Sequence, residues 1–279
     1  MGSQFINFEG ELRLEDEPVV GISNRGFKYG DGLFESMRWV KGELKFADLH
    51  AARIQKGIDL LKLTSHLQID ASFLYQKVEE LVRRNKIGLN ARVRFTFFRQ
   101  SGGLYSPTNN QMGYALEIAK ADEAVYSTNP RGLVVDVFDE VPKPINILSN
   151  IKTCNALTFV MAGLHKKQWA LDDVLILNQN GFLCEAMSSN VFVVYNNIVY
   201  TPALKEGCVD GIMRKVVMQL ARDNRLDVIE AQINPEILNE ANEVFLTNVT
   251  TGIQWVMGFN NKRYFNEVSR FLLNTLNQQ

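Results

Sequence analysis

The segment Ala91-Arg92-Val93-Arg94-Phe95-Thr96-Phe97-Phe98 decides the fold class. Val93, Phe95 and Phe97 fall on one side of an extended chain, and Arg92, Arg94 and Thr96 on the other, because side chains alternate along a strand. One face suits a core and the other is polar. Upstream, residues 71–86 carry Leu74, Val78 and Leu81 on one face of a helix. Residues 47–63 repeat the stripe with Ile54, Ile58 and Leu61, and Asp48 is placed to cap that helix. Residues 5–8 and 11–20 read as an opening hairpin that turns at Glu9-Gly10. Downstream come a loop at Ser101-Gly102-Gly103-Leu104-Tyr105-Ser106-Pro107 and a strand over 113–119.

Residues 1–120 are therefore expected to form a small α/β domain. The stretch 121–130 has no strong period, ends in Asn-Pro and reads as a linker. Residues 131–279 alternate strands (132–138, 173–178, 190–195, 198–201, 243–247) with helices (154–169, 211–224, 266–277). The last helix carries Val268, Phe271, Leu272 and Thr275 on one face. The expected fold class is mixed α/β (α+β) in two domains, each with its own core.

Composition narrows the function. Of 279 residues, 46% are hydrophobic and 22% charged, as in ordinary globular proteins. Lys+Arg total 30 against 31 Asp+Glu, a net charge of −1. This excludes a broad basic footprint for nucleic acid and gives no long-range pull toward an anionic membrane. No apolar run approaches the roughly 20 residues of a spanning helix. Met1-Gly2-Ser3-Gln4-Phe5 lacks the pattern of a leader, and Ile6 stands where an acylation motif wants Ser or Thr. Cys154, Cys184 and Cys208 are too few and too scattered for a disulfide framework or a zinc site. They read as buried free thiols, and the protein as cytoplasmic with no metal.

Five places could carry chemistry. Lys152 lies in Ser149-Asn150-Ile151-Lys152-Thr153-Cys154-Asn155, after Val141-Pro142-Lys143-Pro144 and just before a helical pattern with Leu157, Val160, Met161 and Leu164. A lysine there is ordinarily a solvated charge; desolvated, it can lose its proton and form a Schiff base. Glu185 stands between apolar strands, where it is either a solvated turn residue or a buried carboxylate in need of a cation. Gly30-Asp31-Gly32 is a turn and lacks the third glycine of a dinucleotide fingerprint. Gly207-Cys208-Val209-Asp210-Gly211-Ile212-Met213-Arg214 opens a helix, where bare N–H groups can meet a phosphate. Thr247-Asn248-Val249-Thr250-Thr251-Gly252 ends a strand in hydroxyls and an amide.

Taken in order, Asn24-Arg25-Gly26-Phe27-Lys28-Tyr29-Gly30-Asp31-Gly32-Leu33-Phe34-Glu35, His50-Ala51-Ala52-Arg53, Lys152, Glu185 with Ser188-Ser189-Asn190, Gly211-Ile212-Met213-Arg214 and Thr247-Asn248 form a succession. It resembles the class IV aminotransferases, the fold-type IV family of pyridoxal-phosphate enzymes. That family includes branched-chain and D-amino-acid aminotransferases and aminodeoxychorismate lyase. The resemblance runs from about residue 5 to about residue 260, and the Lys152–Glu185 separation (185 − 152 = 33) matches it.

The resemblance implies a small α/β domain followed by a larger, β-barrel-like α/β domain carrying the Schiff-base lysine. It implies that Lys152 binds pyridoxal 5′-phosphate covalently and carries the substrate proton, and that Glu185 pairs with the pyridine nitrogen. Arg53, Gly211, the backbone of Ile212 and Met213, and the loop Asn248, Val249 and Thr250 would bind cofactor, chiefly its phosphate. Tyr29, Ser36, Arg38 and Arg99 would line the substrate side, Arg99 by meeting a carboxylate. The implied reaction is transamination between amino acids and 2-oxo acids, with branched-chain substrates favoured. The lyase that releases pyruvate and 4-aminobenzoate is the close alternative, because Ser36, the Gly-Ile-Met-Arg run and the Thr-Asn loop resemble lyase members. Leu157 stands where branched-chain members often have tyrosine, which weakens that assignment, and a D-amino-acid aminotransferase is the third reading. A homodimer is the implied assembly.

Overall fold

The computed structural model describes residues 4–278. Met1-Gly2-Ser3, on which the leader and acylation readings partly rest, lie outside the described residues. The chain divides into two compact units. One is the described part of Met1–Ala124 together with Ile151–Asn155; the other is Val125–Asn150 together with the described part of Ala156–Gln279.

The first unit comprises β1 (Phe5–Phe8), β2 (Glu11–Leu14), the short helix α1 (Arg25–Tyr29), β3 (Gly32–Val40), β4 (Glu43–Leu44), α2 (Ala47–Leu60), α3 (Ala71–Arg84), β5 (Asn90–Arg99) and β6 (Met112–Lys120). Its strands form one antiparallel sheet in the order β2-β1-β6-β5-β3-β4. The alternation of β5 does what the sequence requires. Val93, Phe95 and Phe97 join Leu33, Met37 and Trp39 of β3 and Leu116 of β6 in a core. Ile54 and Ile58 of α2 and Leu74, Val78 and Leu81 of α3 cover it. Each such fully buried side chain contributes roughly 1.5–3 kcal/mol.

Two local expectations change. The second arm of the hairpin stops at Leu14, because the Glu17 N–H donates to Leu14 C=O in a turn and Pro18 has no N–H for a ladder. Asp48 does not cap α2; Phe46 holds that position with φ 58° and no side-chain cap, and Asp48 lies inside the first turn. There its charge still complements the helix dipole.

The second unit comprises β7 (Leu133–Lys143), α4 (Leu157–Gln168), β8 (Asp173–Asn178), β9 (Leu183–Ala186), β10 (Asn190–Tyr195), β11 (Ile198–Pro202), α5 (Ile212–Asp223), β12 (Val228–Ala231), β13 (Glu243–Asn248), β14 (Gly252–Phe259), β15 (Lys262–Arg263) and α6 (Glu267–Leu276). The sheet runs β12-β11-β10-β13-β14-β7-β8-β9, with β15 paired to β14. Three of its pairs, β11–β12, β14–β7 and β7–β8, are parallel. The sheet curls, so that terminal β9 packs against β10 and β11. Val135, Leu175, Val191, Val193, Val244, Leu246 and Val256 fill one side of it.

Here α6 buries Ser269, Leu272, Leu273 and Leu276 and exposes Phe271, a rotation from the expected face. Buried Glu243 sets it by accepting the Val268 and Ser269 N–H groups at 2.8 and 3.1 Å. On α4, Leu157, Val160, Met161 and Leu164 are exposed, and Ala162 is buried instead.

Candidate active site

The sheet of the first unit has a second face. Phe34, Ser36 and Arg38 of β3 stand there, paired with Thr96, Arg94 and Arg92 of β5. Lys152 crosses this region in an extended segment. The Phe34 N–H donates to Lys152 C=O and the Cys154 N–H to Gly32 C=O, both at 2.9 Å. These bonds hold Ile151–Asn155 in the first unit, whereas the sequence places the lysine in the C-terminal domain. Gly32 permits the strands to approach, since a Cβ on it would lie 2.4 Å from Phe97 C=O. Lys152 is half-buried, and its Nζ lies 4.5 Å from the centre of the Phe34 ring. The Arg94 guanidinium lies 3.9 Å from the same centre. An aromatic ring thus stands beside the amine and also carries the Arg94 guanidinium.

Arg53 is buried at the interface of α2 with β3. Its Nε and Nη2 donate to Glu35 Oε1 and Oε2 at 2.7 and 2.5 Å. His50 Nδ1 lies 2.7 Å from Glu35 Oε2. Burial alone would raise the Glu35 carboxyl; the Arg53 charge and the His50 contact outweigh it and hold the group at about 2. Arg53 is thereby fixed in one orientation, as an anion-binding guanidinium must be.

The substrate-side expectations fare unequally. Tyr29 packs against Tyr105 at 5.5 Å, with the Arg25 guanidinium 5.0 Å from its ring. Ser36 is half-buried and directly opposite Arg94. Arg38 is buried and donates to Glu123 C=O at 2.6 Å. Arg99 differs most. Its Nε, Nη1 and Nη2 donate to Asp31, Asn110 and Leu61 C=O at 2.9, 2.5 and 2.7 Å. These bonds take three of the five guanidinium N–H donors and hold Arg99 against the turn. Burial would raise the Asp31 carboxyl, but hydrogen bonds from Arg99 and Arg25 pull it below its usual value.

In the second unit Glu185 is on β9 and buried, not a solvated turn residue. Its Oε1 accepts from Lys143 Nζ, and its Oε2 accepts the Val209 N–H at 2.9 Å. The required cation is Lys143, itself buried at the end of β7. The neighbouring thiols are no nucleophiles: burial pushes Cys184 up strongly and Cys208 to about 12.

Asn190 ties the remaining candidates together. It pairs with Thr247 across β10 and β13 and donates to Val209 C=O at 2.9 Å. A Cβ on Gly211 would lie 1.9 Å from Asn190 Oδ1, so only glycine fits there. Gly211 precedes α5 with no side-chain cap, and Ile212 and Met213 are its first residues. Their N–H groups belong to the uncapped first turn. The Met213 side chain is buried in the core, so any role it has at this terminus is through its backbone. Asn248 Oδ1 accepts the Thr250 and Thr251 N–H groups at 2.9 and 2.8 Å, and its Nδ2 donates to Ser189. Val249 C=O accepts from the Tyr126 hydroxyl.

Sequence reasoning did not single out Lys143, Glu35, His50 and Arg94, which contact the candidate residues or their neighbours. Glu35 and His50 lie in the motifs that carry the resemblance and Arg94 on the polar face of β5, whereas Lys143 had no signal.

The family described as amino-transferase class IV matches residues 32–257. The D-alanine aminotransferase of Bacillus licheniformis is 29% identical over 275 residues, covering 89% of this chain and 86% of that protein. The solved branched-chain aminotransferase of Thermoproteus uzoniensis, with norvaline, gives a TM-score of 0.87 at 22% identity over 98% of this chain and 93% of that one. A putative 4-amino-4-deoxychorismate lyase of Legionella pneumophila gives 0.83 at 23% identity over 95% and 96%. At such identity the two structures speak for the fold alone.

Proposed function

This chain belongs to the class IV aminotransferases, and from that premise we propose that it moves an amino group between an aliphatic amino acid and a 2-oxo acid with bound pyridoxal 5′-phosphate. The observation that carries the reading is Lys152, half-buried on a polar sheet face with Phe34 and Arg94 beside it. The residues fit the cofactor. They supply an amine, a buried carboxylate, an uncapped helix N-terminus and Thr247 Oγ1, which is buried with no hydrogen-bond partner among the described residues.

Pyridoxal phosphate, when bound, supplies an electron sink for the bond broken at the substrate α-carbon. The protein does the rest. Lys152 anchors the cofactor and moves the α-proton. Glu185 holds the proton on the pyridine nitrogen. Arg53 and the N–H groups of Ile212 and Met213 take the phosphate, with the Asn248–Thr250 loop alongside. Arg99, or Arg94 with its Nε 4.0 Å from Glu117 Oε2, is the arginine for the substrate carboxylate, and Tyr29 and Ser36 complete that side.

Aliphatic substrates are favoured because the Phe34 ring offers an apolar wall and the named relatives act on D-alanine or branched-chain amino acids. Branched-chain side chains remain the first choice. The homodimer is supported by the apolar stripe that Leu157, Val160, Met161 and Leu164 leave exposed on α4. The free thiols of Cys154, Cys184 and Cys208 suit a cytoplasmic setting.

The test is the visible absorption of the protein with pyridoxal phosphate. A band that borohydride abolishes, and that L-leucine alone bleaches, is the expected result. No band refutes the reading, and bleaching by D-alanine but not L-leucine overturns the branched-chain preference. The lyase is the second reading, favoured by the Ser36 hydroxyl next to Arg94. On that reading Ser36→Gly lowers pyruvate release from 4-amino-4-deoxychorismate about 100-fold relative to transamination, the lower range for a hydrogen-bond donor at the reacting centre. An unchanged ratio removes Ser36 from the argument.

A further inference from the structure

Lys143 is a buried charge that the reaction above does not use. It ends β7, where its C=O accepts the Gln179 N–H at 3.0 Å. Its ammonium is inside the second unit, against Glu185 Oε1 and 5.4 Å from the Phe159 ring centre. A buried ammonium is expensive unless paired, and so is a buried carboxylate. The two side chains therefore hold each other in place. The Val209 N–H fixes the other carboxylate oxygen at 2.9 Å. An ionised carboxylate has about four lone-pair directions, so these two donors leave acceptor capacity for a third.

We propose that Lys143 is a positioning residue for Glu185: its ammonium and the Val209 N–H hold the carboxylate in one orientation and leave its unused acceptor sites to the pyridine nitrogen of the cofactor. This role rests on the proposed cofactor chemistry. It also explains why a carboxylate can be enclosed on β9 among apolar neighbours before any cofactor arrives. Lys143 itself donates no proton to substrate. Without that ammonium, Glu185 keeps only the Val209 N–H and is no longer held toward the ring nitrogen.

The experiment reconstitutes wild-type, Lys143→Met, Lys143→Arg, Glu185→Gln and the Lys143→Met/Glu185→Gln double variant with pyridoxal phosphate. Three quantities are read: the pH midpoint of the visible band, the Kd for pyridoxal phosphate, and kcat separately from KM. Lys143→Met and Glu185→Gln should move the midpoint in the same sense by more than about half a unit, since both disturb the same carboxylate contact to the ring nitrogen. Lys143→Met should lower kcat about 10- to 100-fold, the usual cost of losing a partner that orients a reacting group, with KM and Kd within about threefold. Lys143→Arg should restore the midpoint. The double variant should match Glu185→Gln alone, because a residue acting only through another has no separate effect. Should Lys143→Met fail to fold, Lys143→Gln takes its place.

A wild-type band whose midpoint is unmoved in the neutral variants overturns the role of Lys143. So do additive losses in the double variant, which mark a merely structural lysine. Absence of any band in the wild type overturns the proposed function, and this role with it.

Discussion

Lys152→Ala is expected to keep its fold and lose amino transfer by more than about 10⁴-fold, the upper range for a general acid–base group. Two jobs disappear with the amine. One is the covalent hold on the cofactor, and the other is the proton carried to and from the substrate α-carbon. The fold should survive because the segment is fastened through its backbone. The Lys152 C=O still accepts from Phe34, and the Cys154 N–H still donates to Gly32. What the fold loses is the ammonium beside the Phe34 ring, a contact of about 0.5–1 kcal/mol at a partly exposed site. The melting temperature should therefore change little. Borohydride treatment followed by peptide mass analysis should find a pyridoxyl adduct on Lys152 in the wild type and none in the variant. A variant that turns over at the wild-type rate, or an adduct on Lys143, would refute the assignment.

Fold and site were not equally legible in the sequence. The β5 strand could be read because its polar and apolar residues separate by face. The neighbouring β3 strand could not. Leu33, Met37 and Trp39 share its core-facing side, but Glu35 interrupts them. A carboxylate in a core-facing position argues against a strand unless its partners are known. Here they are Arg53 and His50, 18 and 15 residues away along the chain. The β9 strand hid for the same reason, since Lys143 neutralises Glu185 from 42 residues away. Local patterns do not carry such pairings.

Helix ends illustrate a second limit. The residues just beyond α2, α3, α4 and α5 adopt the left-handed conformation that usually signals a stop, but they are Lys62, Lys86, Ala170 and Arg225 rather than glycine. Leu63, Ile87, Leu171 and Leu226 then donate back to Ile58, Val82, Lys166 and Ala221 C=O and close each helix. With no glycine to read, the stripes run one to three residues too far. For the site, the motif order named positions such as Gly211 and Asn248 by spacing alone. It could not show the bonds of Arg99 to Asp31, Asn110 and Leu61 C=O, contacts that only folding brings together.

The buried Glu35 cluster gives the largest expected effect on stability. Glu35→Gln leaves Arg53 with half of its partner, and losing one side of a buried ion pair costs about 3–5 kcal/mol. The retained amide oxygen still accepts one bond, so the lower figure applies. The pH dependence isolates the charge. The Glu35 carboxyl lies at about 2 in the folded protein, below its ordinary value of 4.5. A lowered carboxyl stabilises the fold fully above the unfolded value and loses that stabilisation as pH falls toward the folded one. Between about pH 4.5 and 2 the wild type should lose roughly 1.4 kcal/mol per pH unit from this group, about 3 kcal/mol in all. Glutamine does not titrate, so the stability gap between the two proteins should close as pH falls through that window. Urea unfolding of both at pH 6, 4.5, 3.5 and 3 measures it. Curves that stay parallel to pH 3 would mean that Glu35 holds Arg53 by shape alone. A gap that narrows would show that the charge fixing Arg53, and with it the expected phosphate contact, is electrostatic and fails first in acid.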